Sequence, residues 1–474
     1  MIFIELNFLI FLLIVVFAIV VNARSTESVK IQNGLLLIAS YYFYAQWDWR
    51  YLTLIIINTL VSFVCALRMV DSRRPGQWLW GSVGISLSIL CIFKYFNFFM
   101  ESAIAVLDRM SVHVHPATLN VLLPVGISFY TFQTIAYMVD VRRGKLAPET
   151  DIVKYATFVS FFPQLVAGPI ERAPNLLPQF DRLWKYDEQR IIEGLRLILF
   201  GFVLKVVVAD KIAPVVDTIF ATDAAKANGG DYLLGSIYFA FQIYGDFCGY
   251  STIAIGVAKI LGVELMTNFR TPYFAASFQD FWHRWHISLS TFFRDYVYFP
   301  LGGSRGSNLD TYRNIMVAFT LSGLWHGANW TYVIWGVYHG VLLCIERILA
   351  SGFKSLPKAG HIGGLLKIPV VFFLTCIGWV IFRSETIGGA WQMIATIFTD
   401  PGIPARNRAV IPFVLFALVI DFLWAKDTRL EHFGFVRNEK VDQVVRWAAY
   451  SLMLWICASH WGFNAGKEFI YFQF

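Results

Sequence analysis

Long apolar segments constrain this chain more than any other feature of its sequence. The first, MIFIELNFLIFLLIVVFAIVV, covers residues 1–21, and a helix needs about 20 apolar residues to cross the hydrocarbon core of a bilayer. The segment has no positively charged region at its start, which argues against a signal peptide. We expect it to be the first transmembrane helix and to be retained in the mature protein.

Eleven further apolar segments follow along the chain. They lie near residues 34–47, 51–67, 78–100, 119–139, 152–167, 191–209, 232–262, 312–345, 367–383, 409–424 and 446–462. Hydrophobic residues make up 57% of the chain and charged residues only 15%, whereas soluble domains carry about 25% charged residues. Too few charges are present to cover a water-facing surface, so the sequence predicts an all-α polytopic membrane protein.

The distribution of charge and of cysteine narrows the class further. The net charge is +7, but the basic residues fall in short runs between apolar segments, such as Arg73–Arg74 and Arg142–Arg143. This pattern is typical of cytoplasmic loops under the positive-inside rule, so we expect membrane lipid and no nucleic acid as a partner. The six cysteines lie far apart in apolar segments without a CxxC pair, which favours small buried residues over disulfides or a metal site.

Two apolar segments are interrupted by helix-breaking residues. LLPVGISFYTFQTIAYMVD contains Pro124 and Gly126, and FVSFFPQLVAGPIERAPNLLPQF contains four prolines. Non-helical backbone at membrane depth is tolerated only where it is buried in protein or lines an aqueous cavity. We therefore expect about ten or more spans with several re-entrant segments. Polar loops are predicted at residues 220–231, 351–366 and 426–445. No soluble domain fits between the apolar segments, so residues 1–474 are expected to form one membrane domain.

Residues 278–306, FQDFWHRWHISLSTFFRDYVYFPLGGSRG, carry too many charges to span, since one Arg or Asp at mid-bilayer costs about 2.5–3.5 kcal/mol. On a helical wheel the large apolar side chains fall on one face, His286 at its edge, and the opposite face holds Asp280, His283, Arg284, Arg294 and Asp295. We predict an amphipathic helix at an interface or lining a funnel.

The spacing of His283 and His286 could suit a metal, but no nearby Cys or carboxylate completes a ligand set. We expect no metal, and His283 to be a solvated surface residue.

Residues 322–340, SGLWHGANWTYVIWGVYHG, place ionisable side chains within the apolar segment 312–345. An ionisable residue inside the membrane is a functional-site hypothesis by default, and we apply it to His326. The alternative is a structural histidine bonded to a backbone carbonyl. Asn329, three residues on, would lie one helical turn from His326. Trp335 and His339 are interpreted as interfacial.

Two classes of function compete on these residues. A transporter would use broken helices and buried acids such as Asp140 and Asp246. An enzyme would use a buried neutral histidine as a general base. Transporters often contain two matching halves, which we do not find, and the His-rich segments are concentrated in residues 278–340. The sequence therefore favours an enzyme, with a multi-pass solute or ion transporter as the alternative.

Two motifs carry a resemblance to a known family. DFWHRWHISLSTFFRDYVYFPLGGSRGS and RNIMVAFTLSGLWHGANWTYVIWGVYHG closely resemble the membrane-bound O-acyltransferase family, in its alginate O-acetyltransferase branch. Teichoic acid D-alanyl transfer proteins are more distant relatives. The similarity continues in FVSFFPQLVAGPIER, in YGDFCGYSTIAIG and at the terminal FIYFQF, so it covers nearly the whole chain.

The resemblance implies a fold, a reaction and a set of site residues. The fold would be a ring of tilted helices around a thin central region, with a funnel on each face meeting near the active histidine. The family's membrane-embedded histidine falls on His326 and its second motif histidine on His286, which makes these two the expected catalytic residues. The expected substrate-binding residues around them are Asn329, Trp325, Trp285, Asp280 and Arg284. A basic residue replaces His283 in the alginate relative, so no catalytic role carries over to it.

The resemblance also implies the partners of the reaction. An acetyl group would pass from a cytoplasmic thioester, acetyl-CoA or an acyl carrier protein, through the bacterial inner membrane to alginate, with peptidoglycan or cellulose as alternatives. No bound cofactor is expected. Arg172, Arg284, Arg294 and Arg305 are candidates for donor phosphates or anionic lipid, with plain anchoring at the membrane interface as an equal alternative. A separate extracytoplasmic acetyltransferase resembling SGNH hydrolases would receive the group.

Overall fold

The computed structural model describes residues 2–114, 119, 123–166, 168–221, 227–352, 361–404, 408–426, 439–460 and 470. All regular structure in these residues is helical, which confirms the all-α prediction. The chain divides into two compact units, one made of residues 1–194 and 257–266 and the other of residues 195–256 and 267–474. The helices Glu188–Phe202 (α10) and Gly229–Ile260 (α12) contribute residues to both.

In the described part of the first unit, nine helices belong to that unit alone. They are Leu6–Ser25 (α1), Val29–Asp48 (α2), Leu52–Val70 (α3), Pro75–Leu90 (α4), Phe96–Arg109 (α5), Ile127–Arg142 (α6), Ile152–Ser160 (α7), Phe162–Leu165 (α8) and Ala173–Leu176 (α9). Their starts follow local chemistry. The Ser28 and Asp151 side chains accept hydrogen bonds from the first free backbone N–H groups of α2 and α7, and Pro75 occupies the first turn of α4.

Buried polar contacts join the helices of the first unit. Asn58 on α3 donates to Thr134 on α6 over 3.1 Å and accepts from Ser86 on α4 over 2.5 Å. The hydroxyl of Tyr155 on α7 donates to Ser62 on α3 over 2.7 Å. Because an unpaired polar group in an apolar interior is costly, these bonds fix how the apolar helices pack.

The two interrupted segments are broken where the sequence predicts. Gly126 precedes α6 with φ +73°, and a Cβ there would lie 2.5 Å from the Leu165 carbonyl oxygen, so only glycine fits. The proline-rich segment is divided into α7, α8 and α9. Helix-breaking residues thus allow α6 and α8 to approach closely.

Nine helices of the described residues lie in the second unit alone. They are Asp210–Phe220 (α11), Phe278–Arg284 (α13), Ile287–Phe293 (α14), Asn308–His326 (α15), Trp330–Gly352 (α16), His361–Arg383 (α17), Ile387–Thr399 (α18), Ile411–Lys426 (α19) and Glu439–His460 (α20). Its core is aromatic, and Trp285, Trp335, Trp379 and Tyr244 are essentially inaccessible to solvent. Ser307 and Asp310 form a reciprocal cap at the start of α15.

Five described helical stretches are long and apolar enough to cross a membrane. They are Leu6–Ser25, Val29–Val70, Pro75–Arg109, Trp330–Gly352 and Leu365–Arg383. The first covers most of the N-terminal segment, whose insertion and retention stay predictions, and together the five are consistent with a multi-pass membrane protein. Of the predicted loops, residues 222–226, 353–360 and 427–438 lie outside the described residues, as does most of the terminal FIYFQF.

The expectation that the cysteines are buried is only partly right. All six are free thiols, but only Cys248, Cys376 and Cys457 are buried, while Cys91 is exposed. Cys91 lies on a membrane-candidate stretch with exposed apolar neighbours such as Ile92. An apolar segment in a membrane protein can face lipid, so hydrophobicity alone did not distinguish a protein interior from a lipid-facing surface.

Candidate active site

The predicted amphipathic helix over residues 278–306 is wrong as a single helix. α13 ends at Arg284, α14 begins at Ile287, and a π-helical turn, Arg294–Tyr298, follows. His286 sits at the break with φ +43°, in the left-handed region that a non-glycine residue enters only at a cost. The helical wheel therefore does not apply beyond residue 284.

A neighbouring stretch of backbone stabilises this break. The Arg270 N–H donates to the Arg284 carbonyl, and the Ile287 N–H donates to the Asn268 carbonyl, each over 2.9 Å. Helix ends leave backbone groups without intrahelical partners, and these two bonds satisfy groups on both sides of His286. The break directs His286 into the protein, where its side chain is 1% exposed.

The His286 ring packs against aromatic side chains and has one close polar neighbour, Asn268. Phe247 and Trp325 contact it at centroid distances of 4.6 and 5.9 Å. Its Nδ1 lies 3.1 Å from Asn268 Oδ1, and Nε2 has no hydrogen-bond partner among the described residues. Burial lowers the pKa of His286 to about 3, because a charged imidazolium is disfavoured in an apolar site. The imidazole is therefore neutral at physiological pH.

The predicted continuous segment 312–345 is likewise two helices, with His326 at the junction. α15 ends at His326 and α16 begins at Trp330. Asn329 is consequently not one helical turn from His326. Its side chain donates to the Glu385 carbonyl and accepts from the Thr331 N–H, each over 3.0 Å. It stabilises the start of α16, and its predicted role in substrate binding stays a prediction.

Two glycines bring α15 and α16 into close contact. A Cβ on Gly323 would lie 2.2 Å from the Tyr332 carbonyl oxygen, and one on Gly336 would lie 2.2 Å from the Phe319 carbonyl oxygen. Small residues at helix crossings let backbones approach closely. This approach places the end of α15, with His326, against the first turns of α16.

The two predicted catalytic histidines lie on the same aromatic cluster. The ring of Trp325 contacts His326 at 5.0 Å and His286 at 5.9 Å. His326, 3% exposed, also contacts Trp335 at 4.9 Å and Phe382 at 5.4 Å. Residues 40 positions apart in the sequence are thus joined through one indole ring.

Trp335 and His339 are not interfacial, contrary to expectation. Both are fully buried, and their rings contact each other at 4.9 Å. His339 also meets Trp282 at 5.1 Å and Phe281 at 6.3 Å. The close packing of α15 on α16 buries the face of α16 that carries these residues, which the sequence does not reveal.

The remaining predicted substrate-binding residues differ in accessibility. Trp285 is buried against Trp379 and Phe269 at centroid distances of 5.0 and 5.1 Å. Asp280 and Arg284 form an ion pair of 2.7 Å, and each side chain is about one third exposed. Substrate contacts by these residues stay predictions.

His283 is exposed, as the sequence indicates, and it lines a cavity of about 500 Å³. Other lining residues are Trp282, Arg294, Ser322, Glu346 and Arg347. Ser322 lies one turn before His326 on α15, and Trp282 contacts Trp335 at 5.7 Å. The cavity lies beside the aromatic cluster, with Trp282 between it and Trp335, and neither His326 nor His286 lines it. In the described part of the chain, no group of three or more His, Cys, Asp or Glu side chains could hold a metal ion.

The second unit also contains a buried cluster of charged side chains around Lys205. Lys205, in the π-helical turn Val203–Ala209, places its Nζ 2.6 Å from Asp246 and 2.9 Å from Asp210, and 5.4 Å from the centre of the Tyr250 ring. The sequence predicts Asp246 as a buried acid, but Lys205, its partner, was not predicted. The signal was present, because Lys205 stands alone within the apolar run FVLKVVVA.

Asn268 was not singled out from the sequence at all. Its side chain is 1% exposed and joins His286, Ser288 and Ser251. It lies in an irregular stretch with no periodic pattern, so only the folded chain reveals that it faces the histidine.

Comparison with known proteins defines the class. Residues 145–382, which include both histidines, match the model of the membrane-bound O-acyltransferase family. The chain belongs to this family, and it is an O-acyltransferase. Family membership decides against the transporter alternative.

Individual relatives agree with this assignment. The probable alginate O-acetylase AlgI of Azotobacter vinelandii is 40% identical over 82% of this chain and 78% of its own length. AlgI of Pseudomonas aeruginosa is 42% identical over 78% and 70%. The peptidoglycan O-acetyltransferase of Helicobacter pylori is 35% identical over 76% and 72%.

Proposed function

We propose that this protein moves acetyl groups from a cytoplasmic thioester across the bacterial inner membrane for O-acetylation of an extracytoplasmic polysaccharide, alginate in the first place. The observation that carries the proposal is the contact of His326 and His286 with one buried indole, Trp325. The alginate relatives, at 40–42% identity, support the choice of polymer. A peptidoglycan acceptor is the second candidate, favoured by the Helicobacter pylori relative. Cellulose rests on the family resemblance alone.

The reaction follows from the chemistry of a thioester and a hydroxyl. A hydroxyl is a poor nucleophile until its proton is removed, and His326 would accept that proton as the oxygen attacks the thioester carbonyl. The carbon–sulfur bond then breaks, and the proton passes to the departing sulfur. In a variant of the reaction, a histidine nitrogen first attacks the thioester carbonyl and the thiol leaves with a proton. The hydroxyl oxygen then attacks the acetyl group, the carbon–nitrogen bond breaks, and the hydroxyl proton passes to the histidine. The apolar walls of the cluster limit water access and so protect the thioester.

The donor would enter through the cavity beside α13 and α15. Its walls include Trp282 and Ser322 near the histidine cluster, and its lining includes Arg294 and the exposed Arg347. Acetyl-CoA and acyl carrier proteins both present the thioester on an arm that carries phosphate. Arginine suits phosphate recognition, and a cavity of about 500 Å³ lies within the range of ligand sites.

The wider architecture belongs to the same proposal. We place ten or more tilted helices in a ring around a thin centre, with a funnel on each face ending at His326. This chain would pass the acetyl group to a separate extracytoplasmic acetyltransferase resembling SGNH hydrolases. That partner would complete transfer to the polymer.

Substitution of the three motif histidines tests the function. His326→Ala should abolish O-acetylation of the polymer, and His286→Ala should reduce it severely, because each ring lies at the reaction centre. His283→Ala is the comparison: this exposed histidine lines the proposed donor entrance rather than the reaction centre, so its effect should be mild. Ester-linked acetate released from purified alginate by mild base measures the outcome.

Normal expression and membrane insertion of each variant must accompany the measurement. Unchanged polymer acetylation in His326→Ala would overturn the catalytic assignment. If His283→Ala were as damaging as the other two, a paired-histidine metal site would have to be reconsidered. Parallel analysis of peptidoglycan separates the two candidate acceptors.

A further inference from the structure

The hydrogen bonds around Asn268 fix which nitrogen of His286 carries the proton. The Ser288 N–H donates to Asn268 Oδ1 over 3.2 Å, and the Asn268 Nδ2 group donates to Ser251 Oγ over 3.0 Å. A backbone N–H can only donate, so the amide atom that receives it must be the oxygen. The same oxygen lies 3.1 Å from His286 Nδ1. The Ser288 hydroxyl also lies 3.4 Å from Nδ1, but it donates over the shorter distance of 2.9 Å to the same Asn268 oxygen. An amide oxygen only accepts, so its contact with Nδ1 is a hydrogen bond when Nδ1 bears the hydrogen.

The other nitrogen of His286 is therefore a lone-pair acceptor. In a neutral imidazole one nitrogen donates and the other accepts, which leaves Nε2 unprotonated. Nε2 is buried and has no hydrogen-bond partner in the described part of the chain, and such a group calls for an explanation. A nitrogen of this kind can bind or deprotonate a hydroxyl, but it cannot donate a hydrogen bond to an oxyanion.

We infer that Asn268 is a positioning residue that holds His286 as the Nδ1-protonated tautomer, so that Nε2 serves acyl transfer as a hydrogen-bond acceptor. The inference rests on the proposed function for the role of Nε2, but not for the tautomer. It gives His286 the role of a hydrogen-bond acceptor toward a hydroxyl and excludes the role of a donor to the oxyanion. Asn268 contacts His286 at Nδ1 rather than at Nε2, so it does not touch the reacting atoms. The left-handed backbone at His286 is held by the Asn268 carbonyl through Ile287, so one residue sets both the position and the protonation of the ring.

The surroundings of His286 leave few other groups to titrate with it. α12 presents Phe247, and the ionisable neighbours of Phe247 have other partners: Asp246 pairs with Lys205, and the Cys248 thiol lies 3.8 Å from the Thr252 hydroxyl. The stretch around Asn268 contributes Phe269 and the exposed Arg270, while Arg284 on α13 is paired with Asp280. α15 contributes Trp325 and, beyond it, His326. His326 is thus connected to His286 through the ring of Trp325.

Nitrogen NMR of the full chain in lipid tests the tautomer directly. The probe is protein labelled with ¹⁵N-histidine, and His286→Gln identifies the His286 signals among the nine histidines. Between pH 6 and 8, wild-type protein should show a protonated Nδ1 and a bare Nε2. Asn268→Leu should move His286 toward the Nε2-protonated tautomer, which imidazole prefers without a fixed partner. A wild-type spectrum with Nε2 protonated would overturn the inference without any further variant, as would an unchanged spectrum in Asn268→Leu.

A conservative variant gives a second reading through the pH dependence of activity. Asn268→Asp keeps the acceptor oxygen but places a carboxylate beside the imidazole, which raises the pKa of His286. Since the reaction needs unprotonated Nε2, the acid limb of the kcat/KM profile should move to higher pH by about one unit or more. A merely structural asparagine would lower activity without moving the limb, and that result would overturn the inference.

Asn314→Leu is the matched control for both measurements. Asn314 is equally buried in the same unit, and it donates to the carbonyls of Leu301 and Gly303. Its loss should leave the His286 signals and the pH limb in place. Since the NMR readout needs neither donor nor polymer, it stands even if the proposed acceptor is wrong. Wild-type protein that shows the expected tautomer but acetylates no polymer would count against the proposed function alone.

Discussion

At the scale of single residues, Lys205 is the buried charge whose removal we expect to affect stability most. Its ammonium group is 2.6 Å from Asp246 and 2.9 Å from Asp210 in a site where Lys205 is 1% exposed. Removing one partner of a buried pair leaves an uncompensated charge and costs about 3–5 kcal/mol. Lys205→Met should therefore lower the free energy of unfolding by that amount, measured by thermal unfolding in detergent.

Two further variants test the cause of this loss. Lys211→Met, a few residues on in a partly exposed position, should change the unfolding transition little. The double variant Lys205→Met with Asp246→Asn removes one of the stranded charges and should be more stable than Lys205→Met alone. Equal instability of the single and double variants would show that Lys205 contributes packing rather than charge.

At the scale of elements, the contact between α15 and α16 determines where His326 lies. A Cβ on Gly336 would meet the Phe319 carbonyl oxygen at 2.2 Å and the Cα of Gly323 at 3.1 Å. Gly336→Ala should therefore push the helices apart, at a cost of about 1–3 kcal/mol, and displace the neighbouring Trp335 from His326. We expect reduced acetyl transfer as well as a lower unfolding temperature.

Gly352→Ala is the control in the same helix. Among the described residues, no atom beyond its chain neighbours and its own helix backbone lies within 4 Å of the position that its Cβ would occupy, so this change should leave both activity and unfolding temperature unaltered. If Gly336→Ala behaved in the same way, the close approach of α15 and α16 would not be needed to position His326.

At the scale of the whole molecule, the proposed function predicts transfer from one face of the membrane to the other. Labelled acetyl donor supplied to the outside of inside-out vesicles should yield label in acetyl esters on the far side. Vesicles that contain His326→Ala should yield none, because transfer requires the histidine and not merely a pore. Appearance of free labelled donor inside the vesicles, without ester, would contradict an acyltransferase that works across the membrane.

The sequence by itself determined the class, the main breaks and the motif histidines. Apolar segments with few charges require helices in a membrane, because backbone groups in lipid must be satisfied within each segment. Pro124, Gly126 and the four prolines of residues 158–180 marked where helices stop. The motifs around His286 and His326 identified the family.

Tertiary structure alone decided how these parts meet. Residues 278–306 were predicted as one helix because a helical wheel assumes unbroken dihedral angles, and the backbone bonds from residues 268 and 270 that support the break at His286 come from outside that segment. Trp335 and His339 looked interfacial because their neighbours on α15 are not visible in a local pattern. Asn268 had no signal, since a hydrogen bond across 18 residues depends on chain folding. Local hydropathy shows which segments favour an apolar environment. The protonation of His286 depends instead on its contact with Asn268, which forms only when the chain folds.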